Sequence, residues 1–122
     1  MIENKVIAKW QKKEVVLNSF LSIPNTFTAE IMSEQGYDAL TIDYQHGMIG
    51  FSDLFTMLQS IRNSGVTPIC RVSGLDHAVI SKVMDAGALG IICPMISNKE
   101  QAQKLVQDCK YPPLGIRSFG PT

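Results

Sequence analysis

The chain has 122 residues, 45% of them hydrophobic and 18% charged, which is enough for one small domain with a real core. Eleven Lys and Arg balance eleven Asp and Glu, so the formal net charge is zero; sequence-independent binding to nucleic acid needs a basic surface and is disfavoured. No apolar run reaches the length of a membrane span, and the N-terminus "MIENKVIAKWQKKE" lacks the apolar core and cleavage site of a signal peptide.

Asn4 to Lys13 is polar-rich and carries Ile7 and Trp10 three apart, which predicts a leading helix. "VVLNSFLSI", Val15 to Ile23, is rich in β-formers and predicts a first strand. Pro24-Asn25-Thr26 is a turn, after which Thr26 or Thr28 caps a helix running to Gln35 and stopped by Gly36. "ALTID", Ala39 to Asp43, is the second strand. Phe51, Leu54, Phe55, Leu58 and Ile61 then recur at helical spacing, in an amphipathic helix capped by Ser52 and closed by Gly65.

"VTPICRV" predicts a third strand, with Pro68 marking its first residues. Asp76 caps a further helix with Val79, Ile80, Val83 and Met84 on one face and Gly87 after it. "LGIICPM" is the fourth strand. Asn98 caps "KEQAQKLVQDC", whose expected inward face is Ala102, Leu105 and Val106. "YPPLGIRSFGPT" is a loop rich in glycine and proline. The methionines read as core fillers. Cys70, Cys93 and Cys109 form no CxxC pair and cannot all pair with one another; Cys70 and Cys93 sit in apolar runs and read as small buried hydrophobes. A reduced cytoplasmic compartment is the simplest fit.

A helix followed by four strand–helix units, with strands roughly 23 to 28 residues apart, is the signature of an α/β fold with parallel strands. Four such units make a small doubly wound domain or half of a (β/α)8 barrel, which needs about 250 residues. The final loop, with Arg117, Ser118 and Phe119 after two prolines, reads as leading into another element. Residues 1–122 are therefore expected to be a single partial domain, the N-terminal half of a barrel.

Both architectures place function at the carboxyl ends of strands. The second strand ends in Asp43, with Gln45 and His46 just beyond, and the third ends in Arg71. A guanidinium holds a carboxylate by a two-pronged contact or steadies an oxyanion. A histidine serves as a base near neutral pH, and an acid orients it or a metal-bound water. Such a set suits an anionic substrate that passes through an enolate. Competing structural readings exist for each: His46 as a turn residue, Arg71 and Asp43 as an ion pair. His77 beside Asp76 reads as a solvated first-turn residue. No glycine-rich phosphate loop and no compact metal-ligand motif is present.

In order and spacing, "AEIMSEQGYDALTIDYQHG", "PICRV", "MDAGALGIICPM" and "YPPLGIRSFGP" resemble the HpcH/HpaI aldolase family from about Val15 onward. That family comprises metal-dependent pyruvate aldolases, such as the 4-hydroxy-2-oxoheptanedioate and 2-keto-3-deoxy sugar acid aldolases. The resemblance implies a (β/α)8 barrel, assembly into homo-oligomers, and cleavage of a 4-hydroxy-2-keto acid to pyruvate and an aldehyde. By motif, His46 resembles the catalytic histidine, Arg71 the arginine that holds pyruvate, and Asp43 the acid in the histidine's hydrogen-bond network. Gln45, which joins Arg71 in the expected substrate site, stands where the family usually has a glutamate, so any charge role there is lost. The divalent metal (Mg, Mn or Co) is expected to find its ligands beyond Thr122, with none in this chain. The alternatives are an oxaloacetate decarboxylase or citrate-lyase-like enzyme, or a non-catalytic half-barrel that serves as an interaction module.

Overall fold

The computed structural model describes residues 4–120. Among them, five helices and four strands alternate: α1 (Lys5–Gln11), β1 (Asn18–Leu21), α2 (Thr26–Ser33), β2 (Ala39–Asp43), α3 (Phe51–Ile61), β3 (Thr67–Arg71), α4 (His77–Asp85), β4 (Gly90–Ile92) and α5 (Lys99–Cys109). The strands form one parallel sheet in the order β1-β2-β3-β4.

That order decides between the two expected architectures. Doubly wound sheets reverse strand order at a switch point and carry helices on both faces. Here the order never reverses. Leu21, Leu40, Ile42 and Cys70 share one sheet face and one core with Ala29, Leu54, Met57, Ile61, Ile80 and Val83 from α2, α3 and α4. The opposite face carries Asn18, Phe20, Thr41, Asp43, Ile69 and Arg71, in line through the strand register. Helices on one side and a mixed polar face on the other is the arrangement of a barrel wall.

Helix starts follow side-chain capping. Asn25 Oδ1 accepts the Thr28 amide, Asp76 Oδ1 those of Ala78 and Val79, and Asn98 Oδ1 that of Gln101. The cap of α2 is thus Asn25, and neither Thr26 nor Thr28. Gly50, not Ser52, begins α3, and the Asp53 carboxylate reaches back to the Gly50 amide at 3.0 Å. α1 crosses the amino ends of the strands: Asn4 Nδ2 donates to the Leu89 carbonyl, and Lys9 pairs with Asp38. It ends before Lys13, which takes a left-handed φ of 59°.

Several expected boundaries shrink. β1 covers only Asn18 to Leu21, and Val15, Leu17 and Ile23 are exposed; the approach to β1 is pinned by the Leu17 amide on Asp38 Oδ2. β4 stops at Ile92, so Cys93-Pro94-Met95 is loop, with Met95 at φ 58°. Pro68 is second in β3 and level with Leu40, before β4 begins opposite Ile69, so its missing N–H removes nothing from the β3–β4 ladder. On α3 the buried residues are Leu54, Met57, Leu58 and Ile61, and Phe55 is exposed. On α5 the inward side is Leu105, Asp108 and Cys109; Ala102 and Val106 face out. Met57 fills the core as expected, whereas Met48 and Met95 are exposed. Cys70 is fully buried and Cys93 half-buried.

Candidate active site

β2 is buried along its whole length and ends at Asp43, directly opposite Arg71, the last residue of β3. Parallel register therefore delivers a carboxylate and a guanidinium to the same level on the same face. Arg71 Nε donates to Asp43 Oδ1 at 2.9 Å and Arg71 Nη2 to Oδ2, a two-pronged ion pair. The guanidinium lies 5.0 Å from the Phe20 ring centroid, a cation–π contact from β1. The Asp43 side chain is 5% exposed and that of Arg71 27%, so the acid is sunk into the sheet while the base reaches the surface.

Asp43 also shapes the turn that follows. Its Oδ1 accepts the backbone amides of His46 at 3.1 Å and Gln45 at 3.3 Å. The Arg71 hydrogen bond, helped by these amides, holds its carboxyl down to about 2, against the desolvation that would raise it. The turn closes with the Gly47 amide on the Asp43 carbonyl. No side chain fits at Gly47: a Cβ there would meet the Asp43 carbonyl oxygen at 2.4 Å and that of Ser22 at 3.1 Å.

The four expected site residues are thus brought to one rim. Asp43 grips the His46 backbone and not its imidazole, so it positions His46 through the main chain. The His46 ring stands exposed beyond the strand end, and Gln45 is half-buried beside it. The structural ion pair between Arg71 and Asp43 is real, and it still leaves part of the guanidinium free: of five N–H donors, two are used by Asp43.

His77 is not a solvated first-turn residue. Its Nδ1 lies 3.0 Å from Oδ1 of Asp108, a fully buried carboxylate on α5 that also accepts from Lys104 Nζ. The partners are 31 residues apart, and no local spacing pointed to them. A second such tie joins Arg117 Nη2 to Asp85 at 2.7 Å, with the guanidinium 4.7 Å from the Tyr111 ring centroid. Burial pushes the Cys70 thiol up to about 12, which makes it an inert core residue. No group of three or more His, Cys, Asp or Glu able to hold a metal ion occurs among the described residues.

A one-sided parallel α/β sheet with a part-exposed guanidinium and a free imidazole at its carboxyl edge is the wall of a barrel-type fold. Comparison with known proteins supplies the lineage. The family model for HpcH/HpaI aldolase/citrate lyase matches residues 17–120. A hydroxypyruvate/pyruvate aldolase from Rhizorhabdus wittichii is 41% identical over 97% of this chain and 47% of its own length. A 2-dehydro-3,6-dideoxy-6-sulfogluconate aldolase from Pseudomonas putida is 35% identical over 89% of this chain and 43% of its own. The crystal structure of an HpcH/HpaI aldolase from Desulfitobacterium hafniense superposes with a TM-score of 0.89 at 27% identity, covering 98% of this chain and 46% of that one. This chain belongs to the HpcH/HpaI aldolase/citrate lyase family. It spans about half the length of the curated relatives it matches.

Proposed function

We propose that this chain supplies one half of a carbon–carbon lyase that cleaves a 4-hydroxy-2-keto acid into pyruvate and an aldehyde. The observation that carries the reading is the Arg71 guanidinium, held by Asp43 along one edge and by Phe20 on its face, with further N–H groups left for a ligand. Those N–H groups suit the carboxylate and keto oxygen of a 2-keto acid, whose keto oxygen gains negative charge as the enolate forms. Family membership and the aldolase names of the relatives favour this reading over decarboxylation or a non-catalytic interaction module.

In the cleavage step, His46 takes the proton of the C4 hydroxyl. The C3–C4 bond breaks, its electron pair passes into the enolate of pyruvate, and the aldehyde leaves. A proton returned to C3 completes pyruvate. Asp43 is a positioning residue here, setting His46 through its backbone amide and Arg71 through its fork. Gln45, neutral and beside the turn, offers a substrate oxygen an amide donor where a carboxylate would repel it.

The residues present do not make up the divalent metal centre (Mg, Mn or Co) that the family resemblance implies: no three-residue ligand group occurs among those described, and the Asp43 carboxylate is taken by Arg71. The proposed metal draws its carboxylates from outside this chain, and no step above runs through it. A half-barrel domain over residues 1–122, homo-oligomeric assembly and a cytoplasmic setting complete the reading. Three free cysteines suit a reducing compartment, and no helix among the described residues is long and apolar enough to cross a membrane.

The test is pyruvate release from 4-hydroxy-2-keto acids by the polypeptide that carries this chain, with and without His46→Ala. Loss of the general base is expected to lower kcat by about 10²-fold or more with little change in stability, since the ring is exposed. A kcat near that of the unaltered protein would remove His46 from the mechanism.

A further inference from the structure

On the helical side of the sheet, α2 packs on α3 and α4 on α5, but a groove separates α3 from α4. Its volume is about 640 Å³, and Phe55, Leu58, Pro68 and Leu89 give it an apolar floor. A second cavity of about 380 Å³ shares Phe51 and Lys82 with it and continues to Tyr44. The volume is in the range of small-molecule sites. The groove lies on the opposite face of the sheet from Asp43 and Arg71, so the proposed lyase chemistry makes no use of it.

Three charged side chains line the groove: Arg62, Lys82 and Asp85. The Asp85 carboxylate is already committed to Arg117 at 2.7 Å. Arg62 and Lys82 have no ion pair among the described residues. The groove is therefore left with two uncompensated cations over an apolar floor. They stand toward opposite ends. Lys82 Nζ lies 5.3 Å from the Phe51 ring centroid at the start of α3, and Arg62 caps the other end of that helix. Eleven positions of helix separate Phe51 from Arg62, about 16 Å of rise.

We propose that this groove binds an elongated dicarboxylate with an apolar middle, one carboxylate at Lys82, the other at Arg62, and the chain between them on Phe55 and Leu89. Charge complementarity sets the two ends, and the apolar floor sets the middle. A short dicarboxylate cannot reach both cations, and a monocarboxylate satisfies one of them.

Suberate is the probe, titrated into the polypeptide that carries this chain and followed by protein NMR shifts and by thermal unfolding, with octanoate and succinate as comparisons. Saturable shifts at Phe55 and Leu89 and a raised Tm are expected with suberate. Arg62→Ala and Lys82→Ala are each expected to weaken suberate binding about tenfold or more, the scale of one charge-assisted contact. Octanoate should bind the unaltered chain about as weakly as suberate binds either variant. Both residues are exposed, so an unchanged Tm without ligand shows that the variants fold. The proposal is overturned if suberate gives no saturable shifts, if succinate binds as tightly as suberate, or if either variant binds suberate as the unaltered chain does.

Discussion

Replacing Asp43 with asparagine tests the ion pair at the strand ends directly. The new side-chain amide would keep one acceptor oxygen for the turn amides or for Arg71 Nε. It would also set an NH2 group against the guanidinium. The cost can be worked from the carboxyl itself, which moves from an ordinary 3.8 to about 2 in the folded chain. At about 1.4 kcal/mol per pH unit, that is about 2 kcal/mol of stability at neutral pH. The sign follows from the direction. A carboxyl held below its usual value stabilises the fold while ionised, so the contribution is whole above about pH 4 and is lost as pH falls toward 2. Urea unfolding of the unaltered chain and Asp43→Asn should therefore differ by about 2 kcal/mol at pH 7 and converge near pH 2. An equal stability at pH 7, or a gap undiminished at pH 2, would refute the assignment of the pair as the source.

Arg71→Lys keeps a charge but loses the planar fork, so 2-keto acid binding and kcat should both fall; steady-state kinetics that stay intact while the protein melts earlier would leave Arg71 purely structural. Gly47→Ala drives a Cβ into two backbone oxygens and should cost about 3 kcal/mol, read by chemical denaturation; a cost below about 1 kcal/mol would mean the turn yields easily. The double variant His77→Ala, Lys104→Ala strands the buried Asp108 carboxylate without a counter-charge and should cost about 3 kcal/mol. Asp108→Leu removes the charge as well and should cost less, and the reverse order of the two would contradict the account.

The alternation of strands and helices was legible because each strand is a short apolar run and each helix after the first is preceded by a capping residue or glycine. The ends were less so. Val15 and Leu17 look like strand residues, but β1 begins only where β2 offers a partner at Ala39; β-propensity carries no information about where the neighbour starts. Phe55 fits the helical period of α3 but faces the groove, because the helix that would cover it stands off. Asp43, Gln45, His46 and Arg71 could be read as a set because parallel topology puts strand ends at one rim. The grip of Asp43 on the His46 main chain, and not on its ring, is a matter of turn geometry that residue types do not reveal. The burial of Asp108 was hidden for a different reason. An acid on an otherwise polar helix reads as solvated until the histidine that meets it is known.

Every strand in this sheet bonds only to the one before or after it in the chain, with partners such as Asn18 and Ala39, or Ile69 and Gly90, close in sequence. Loop closure is therefore cheap at each step. β1 and β2 with α2 between them can settle while α3 is still inside a ribosome, and each later strand adds to an edge already formed. Among these four strands the order of pairing can follow the order of synthesis, since each inner pair joins strands one unit apart. The same edge-by-edge logic lets β4 serve, at the moment it forms, as the template on which a further parallel strand can be laid.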